Sequence, residues 1–204
     1  MALSPILGHW ILQRVGRTSR CAIFVTETLK PIIEKLVKAQ SGMLRAADAV
    51  SSERWQTRPA PARWSAAELI GHVVTIERAV LGAADRVVQK PPAHFPALAR
   101  VHLPLALSRS RLFRIKTPIP LDPELVREKE EMLAELREVR ERTLAFIEET
   151  SGRDLHEYRW KHPFLGVLNL YEWMEMVAGH EIRHTKQMRE IAASLPKIVV
   201  SLQK

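Results

Sequence analysis

The chain has 204 residues, 46% of them hydrophobic and 26% charged, with a formal net charge of +8. That is enough apolar material for one ordinary core; the single cysteine, Cys21, excludes an intramolecular disulfide, and no apolar run approaches the roughly 18–20 residues of a membrane-spanning helix. The charge is localised, +3 in residues 1–30 and +6 in residues 90–120, which leaves −1 for the segments expected to form the fold.

Residues 1–28 combine Leu, Ile, Trp and Val with three arginines and no acid before Glu27. The composition imitates a mitochondrial presequence, but the favoured reading is an N-terminal extension or a start placed too far upstream. The lone cysteine fits a reducing compartment, and a cytoplasmic location is expected. From Leu29 the apolar residues Leu29, Ile32, Ile33, Leu36, Met43 and Ala47 recur at steps of three and four, which predicts a first helix. Pro59 and Pro61 interrupt the stretch from Ser51 to Arg63.

Ser65 followed by Glu68 predicts a capping box at the start of a second helix. Its apolar stripe runs through Leu69, Val73, Ile76 and Val80, and it stops near Gln89 ahead of Pro91 and Pro92. Residues 91–121 form a proline-rich connector, with a short helix expected around Ala97 to Ser108. A third helix is expected from Asp122 as cap and Pro123 as first residue. Its stripe is Leu125, Met132, Leu133, Leu136, Val139, Thr143, Phe146 and Ile147, and Ser151-Gly152 ends it. Asn169 and Glu172 predict a second capping box, opening a fourth helix that runs to about Leu195. Residues 196–204 are a tail, and no strand is expected anywhere. The expected fold is all-α, a four-helix bundle over residues 29–195.

The fourth helix places Trp173, Val177, His180, His184, Met188, Ile191 and Leu195 at steps of three and four. His180 and His184 therefore occupy core slots, one turn apart on one face. His72 shares a face with Leu69, Val73 and Ile76, so it also points inward. Buried imidazoles need partners for both nitrogens, and one divalent ion held by His72, His180 and His184 satisfies one nitrogen of each. Three histidines with open positions form a common catalytic arrangement. His180 to His184 also spells H-E-x-x-H, the zinc-protease pattern. No third ligand follows it in protease fashion, and Glu190, six residues on along the same helix, is a poor candidate, so a protease is not expected.

Three blocks together resemble the DinB/YfiT-like superfamily. They are Trp64-Ser65-Ala66-Ala67-Glu68-Leu69-Ile70-Gly71-His72 followed by Glu77; His162-Pro163-Phe164-Leu165-Gly166 followed by Leu168-Asn169-Leu170-Tyr171-Glu172; and Gly179-His180-Glu181-Ile182-Arg183-His184-Thr185-Lys186-Gln187-Met188. The resemblance implies an up-down-down-up bundle whose crossover suits the connector between helices 2 and 3. It implies nickel, zinc or a similar ion on the three histidines, and a homodimer. It also implies, for some members, S-transfer or isomerisation with a low-molecular-weight thiol.

The leading expectation is a metal-dependent enzyme that activates water or such a thiol against a small-molecule substrate, as a hydrolase or S-transferase. Glu77 and Glu181 are its candidate bases, and Tyr158, Trp160 and His162 could wall the pocket. The alternative is a non-catalytic binding module stabilised by the metal. A nucleic-acid binder using the basic 90–120 segment is disfavoured, because the basicity lies off the structured elements.

Overall fold

The structure, a computed structural model, describes residues 20–110 and 126–195. Four long helices carry the fold: α1 (Arg20–Asp48), α2 (Ala66–Val88), α3 (Lys129–Glu149) and α4 (Leu170–Ser194). Their directions follow from how they share the core. One apolar cluster joins the early part of α1 (Leu29, Leu36) and of α4 (Leu170, Trp173) to the late part of α2 (Val80, Ala84) and of α3 (Phe146, Ile147). The other joins the late part of α1 (Met43, Ala47) and of α4 (Met188, Ile191) to the early part of α2 (Leu69, Val73) and of α3 (Met132, Leu136). Helices α1 and α4 thus run one way and α2 and α3 the other, the up-down-down-up arrangement.

Local chemistry sets the entry of the two helices that carry the histidines. At α2, Ser65 Oγ accepts from the Glu68 N–H at 3.1 Å, and the Ser65 N–H donates to Glu68 Oε2 at 2.8 Å. Arg58 Nε donates to the same Glu68 oxygen at 2.9 Å. The α4 box repeats the pattern: Glu172 N–H donates to Asn169 Oδ1 at 3.0 Å and Asn169 N–H to Glu172 Oε2 at 2.7 Å. Each box satisfies N–H groups that the first turn of a helix otherwise leaves open. Trp55, fully buried, anchors the loop ahead of α2, and its carbonyl accepts from the Ala67 N–H at 3.0 Å.

Four expectations need correction. Helix α1 starts at Arg20, nine residues before Leu29. The apolar period marks where the helix packs, and backbone hydrogen bonding carries it further. Helix α3 starts at Lys129 with Glu128 as N-cap; Asp122 and Pro123 lie outside the described residues. Residues 126–128 are not helical, because Val126 packs on the second cluster and the Arg127 N–H reaches Met132 Sδ at 3.4 Å. In place of one short helix, the connector forms two 3-10 turns, Ala97–Arg100 and Leu105–Arg109, separated by extended backbone at Val101 and by Pro104, which disfavours helical backbone at the residue before it.

The expectation of no strand also fails. A hairpin of β1 (Arg159–His162) and β2 (Gly166–Asn169) pairs antiparallel, Arg159 with Asn169 and His162 with Gly166. Gly166 sits at φ +105°, where other residues are strained. His162 Nδ1 accepts the N–H groups of Phe164 and Leu165 at 3.1 Å each and so ties the turn. Trp160 stacks on Trp173 of α4, ring centroids 4.6 Å apart and 10° from parallel. Four-residue strands leave too short an alternation to stand out in sequence. No helix among the described residues is long and apolar enough to cross a membrane.

Candidate metal centre

Helices α2 and α4 bring His72, His180 and His184 together. His72 Nε2 lies 3.1 Å from His180 Nε2, and His184 Nε2 lies 3.1 Å from the same atom. One nitrogen from each ring falls within 4.8 Å of the others. His72 and His184 are buried, while His180 keeps part of its surface open. Trp64, just ahead of the α2 cap, lies against two of the rings, 4.9 Å from His72 and 6.2 Å from His184 between centroids.

The protonation pattern suits a cation. His184 Nδ1 is 3.1 Å from Gln187 Oε1. With that carbonyl as acceptor, Nδ1 carries the proton and Nε2 presents a lone pair to the cluster. Burial pushes the His72 imidazolium down to a pKa of about 4. Burial, and then the neighbouring His184 and His72, holds His180 well below its ordinary value. His72 and His180 are therefore neutral near pH 7. One proton on His180 Nε2 cannot serve two facing nitrogens fully, whereas a divalent ion accepts a lone pair from each ring. The residues present fit such an ion. Among the described residues, no fourth His, Cys, Asp or Glu joins the group.

Glu77 and Glu181 are both paired with an arginine. Arg140 of α3 donates from Nε to Glu77 Oε1 at 2.7 Å, and from Nη2 to Glu77 Oε2 and to Glu181 Oε2 at 2.9 Å each. Its Nη1 donates to the Leu36 carbonyl of α1, so one guanidinium ties all four helices. Thr143 Oγ1 adds a bond to Glu77 Oε1 at 2.8 Å. Glu181 is fully buried and its Oε1 has no hydrogen-bond partner. Burial lifts the Glu181 carboxyl to a pKa of about 7, against the pull of Arg140. Burial opposes charge on Arg140 too, but its bonds to Glu77 and the two carboxylate charges keep it firmly ionised. No hydrogen bond joins either glutamate to the three histidines.

Arg140 escapes the sequence reading, which passes from Val139 to Thr143 along the α3 stripe. The signal is present: Arg140 is four residues after Leu136 and seven before Ile147, a core slot like those of the histidines. Of the proposed pocket walls, His162 is close enough to His180 to act on it electrostatically. Burial lowers His162 itself to about 4. Tyr158 and Trp160 pack on the first apolar cluster. Glu190 pairs with Arg63 at 3.4 Å.

The family model described as the DinB superfamily matches residues 35–188. The uncharacterized protein YuaE of Bacillus subtilis (strain 168) is 26% identical over 150 residues, covering 72% of this chain and 89% of that relative. No solved structure matches the chain.

Proposed function

This chain belongs to the DinB superfamily, and we propose that it is a divalent-metal-dependent enzyme acting on a small molecule, with His72, His180 and His184 as the metal ligands. The observation that carries the reading is the convergence of three imidazole nitrogens with no fourth protein ligand among the described residues. A structural site is normally closed by a fourth ligand, and a catalytic one keeps a position open. Three imidazoles suit nickel or zinc. A bound ion of this kind lowers the pKa of water or a thiol, so that the nucleophile exists near neutral pH. Water makes the enzyme a hydrolase; a low-molecular-weight thiol, supported by the motif resemblance, makes it an S-transferase.

The chain's own residues do the rest. Gln187 holds His184 in its ligand tautomer. Trp64 covers His72 and His184 on one side. His162, its Nδ1 engaged by two backbone N–H groups, keeps its proton on Nε2 and is a donor available to substrate. Glu77 and Glu181 are bound to Arg140, a geometry that supports positioning of α2 and α4 over direct proton transfer.

The test uses untagged, nickel- or zinc-loaded protein, assayed with a panel of low-molecular-weight thiols against an electrophilic aryl halide, and separately with hydrolysable esters and amides. Turnover in one arm, abolished by chelator and by His184→Ala, is expected. Full metal loading with no turnover in any arm removes the enzyme reading and leaves a metal-stabilised binding module.

A further inference from the structure

The large hydrophobic side chains that stay exposed among the described residues are Leu98, Val101, Leu103, Leu107 and Phe164. All five belong to two neighbouring segments, the connector and the hairpin turn. The Leu103 N–H donates to the Leu165 carbonyl at 2.8 Å, and Val101 and His102 lie directly over Gly166. His102 Nε2 is 3.0 Å from Glu172 Oε1, which fastens the connector to the start of α4. Leu98 is 86% and Val101 73% exposed, so folding removes little of either side chain from water. A protein surface rarely gathers such residues in one place without a partner.

The charge of these segments is mainly positive. Residues 90–110 carry Lys90, Arg100 and Arg109 with no acid, and residues 159–172 carry Arg159 and Lys161 against Glu172, whose carboxylate is engaged by His102. Exposed aliphatic side chains interspersed along the chain with cations match an anionic lipid surface, where the apolar groups enter the headgroup boundary and the cations meet lipid phosphates and carboxylates. A second copy of the chain fits less well, because a two-fold self-contact sets the cationic segments against their own copies. Single-stranded nucleic acid would use aromatic stacking platforms, and this face offers aliphatic residues and only Phe164.

We propose that the connector and hairpin turn form a docking face for anionic membrane surfaces. The face is mechanically close to the metal centre. Ser108 lies against Gly179, where an added Cβ would collide with its Oγ, and Gly179 directly precedes His180. Docking would therefore hold the histidine cluster beside the lipid interface.

Sedimentation with two vesicle types tests this: phosphatidylcholine alone, and phosphatidylcholine with roughly one-third phosphatidylserine, a composition that raises the negative surface potential. The full chain is expected to co-sediment with the anionic vesicles, to bind the neutral ones far more weakly, and to be released by about 0.5 M salt as screening sets in. Leu98→Ser with Val101→Ser and Leu103→Ser should weaken partitioning on the order of a hundredfold, from three apolar groups withheld from the interface. Arg100→Gln with Lys161→Gln should weaken it by about fivefold per charge. Circular dichroism and metal content, unchanged in both variants, show that the fold is intact. No binding by the full chain overturns the proposal; that is the outcome if a second copy or residues 1–19 cover the patch. Equal binding to both vesicle types, or binding that the triple serine variant leaves unchanged, also overturns it, as does a dimer that this variant converts to monomer.

Discussion

Replacing Arg140 by methionine removes the one cation between two buried carboxylates. Glu77 is 2% exposed and Glu181 0%, so neither can turn to water. Four charge-assisted hydrogen bonds disappear, three of them to carboxylates. Leaving buried charges without their partner typically costs about 3–5 kcal/mol. The pH dependence identifies the cause. Without Arg140 the Glu181 carboxyl, already lifted by burial to about 7, loses the charge that pulls it down, so its folded pKa lies further above the unfolded value and it takes up a proton on folding. The folded state then binds more protons than the unfolded one, and stability falls as pH rises from the unfolded pKa towards the raised one. A tenfold change in proton affinity corresponds to about 1.4 kcal/mol, so most of the loss should vanish near pH 5. Denaturant unfolding of metal-free Arg140→Met and parent protein, at pH 7.5 and pH 5, gives both numbers. Adding Glu77→Leu and Glu181→Leu should recover most of the loss at pH 7.5, since apolar replacement of a whole buried ion cluster is often neutral; Thr143 Oγ1 keeps its bond to the Val139 carbonyl at 3.0 Å. A loss below about 1 kcal/mol, the size of an exposed pair, or one equal at both pH values, would rule out buried charge as the cause.

Other consequences follow from the same geometry. Gln187→Ala frees the His184 Nδ1 proton from its acceptor and should weaken metal binding about 10–100-fold with little change in fold; competition with a chromogenic chelator measures it. In the metal-free protein, His72 has a folded pKa of about 4 against 6.5 unfolded. The unfolded state therefore binds more protons between those values, and stability should fall by up to about 3 kcal/mol as pH drops from 6.5 towards 4. His72→Gln should flatten that slope in a pH series of urea melts. Gly179→Ala forces a Cβ against Ser108 and Arg109; overpacking of about 1–3 kcal/mol should loosen the connector and speed its cleavage in limited proteolysis, and unchanged cleavage would show that the contact yields freely.

The histidine cluster is legible in the sequence because histidine at a leucine slot breaks a visible pattern. His180 and His184 interrupt the run from Val177 to Met188, and His72 sits between Leu69 and Val73. Both capping boxes are legible too, since each rests on two residues three apart and on backbone groups present in every helix. Arg140 is hidden for the opposite reason. Helix α3 is dense in Glu and Arg, and one arginine on the inner face looks like its solvated neighbours until α1, α2 and α4 are placed around it. The hairpin is hidden because its stability is tertiary: Trp160 is held by Trp173, thirteen residues away on α4. The start of α1 is hidden because its first nine residues precede the apolar repeat.

Counting ions puts the metal centre itself to the test. Untagged protein, equilibrated with nickel or zinc and freed of excess, should carry one ion per chain by elemental analysis, and His184→Ala and His72→Ala should carry none while remaining helical. Less than about one-fifth of an ion per chain in the parent protein, where a preformed three-ligand site should saturate, or undiminished binding in either variant, would contradict the assignment of His72, His180 and His184 as the ligands.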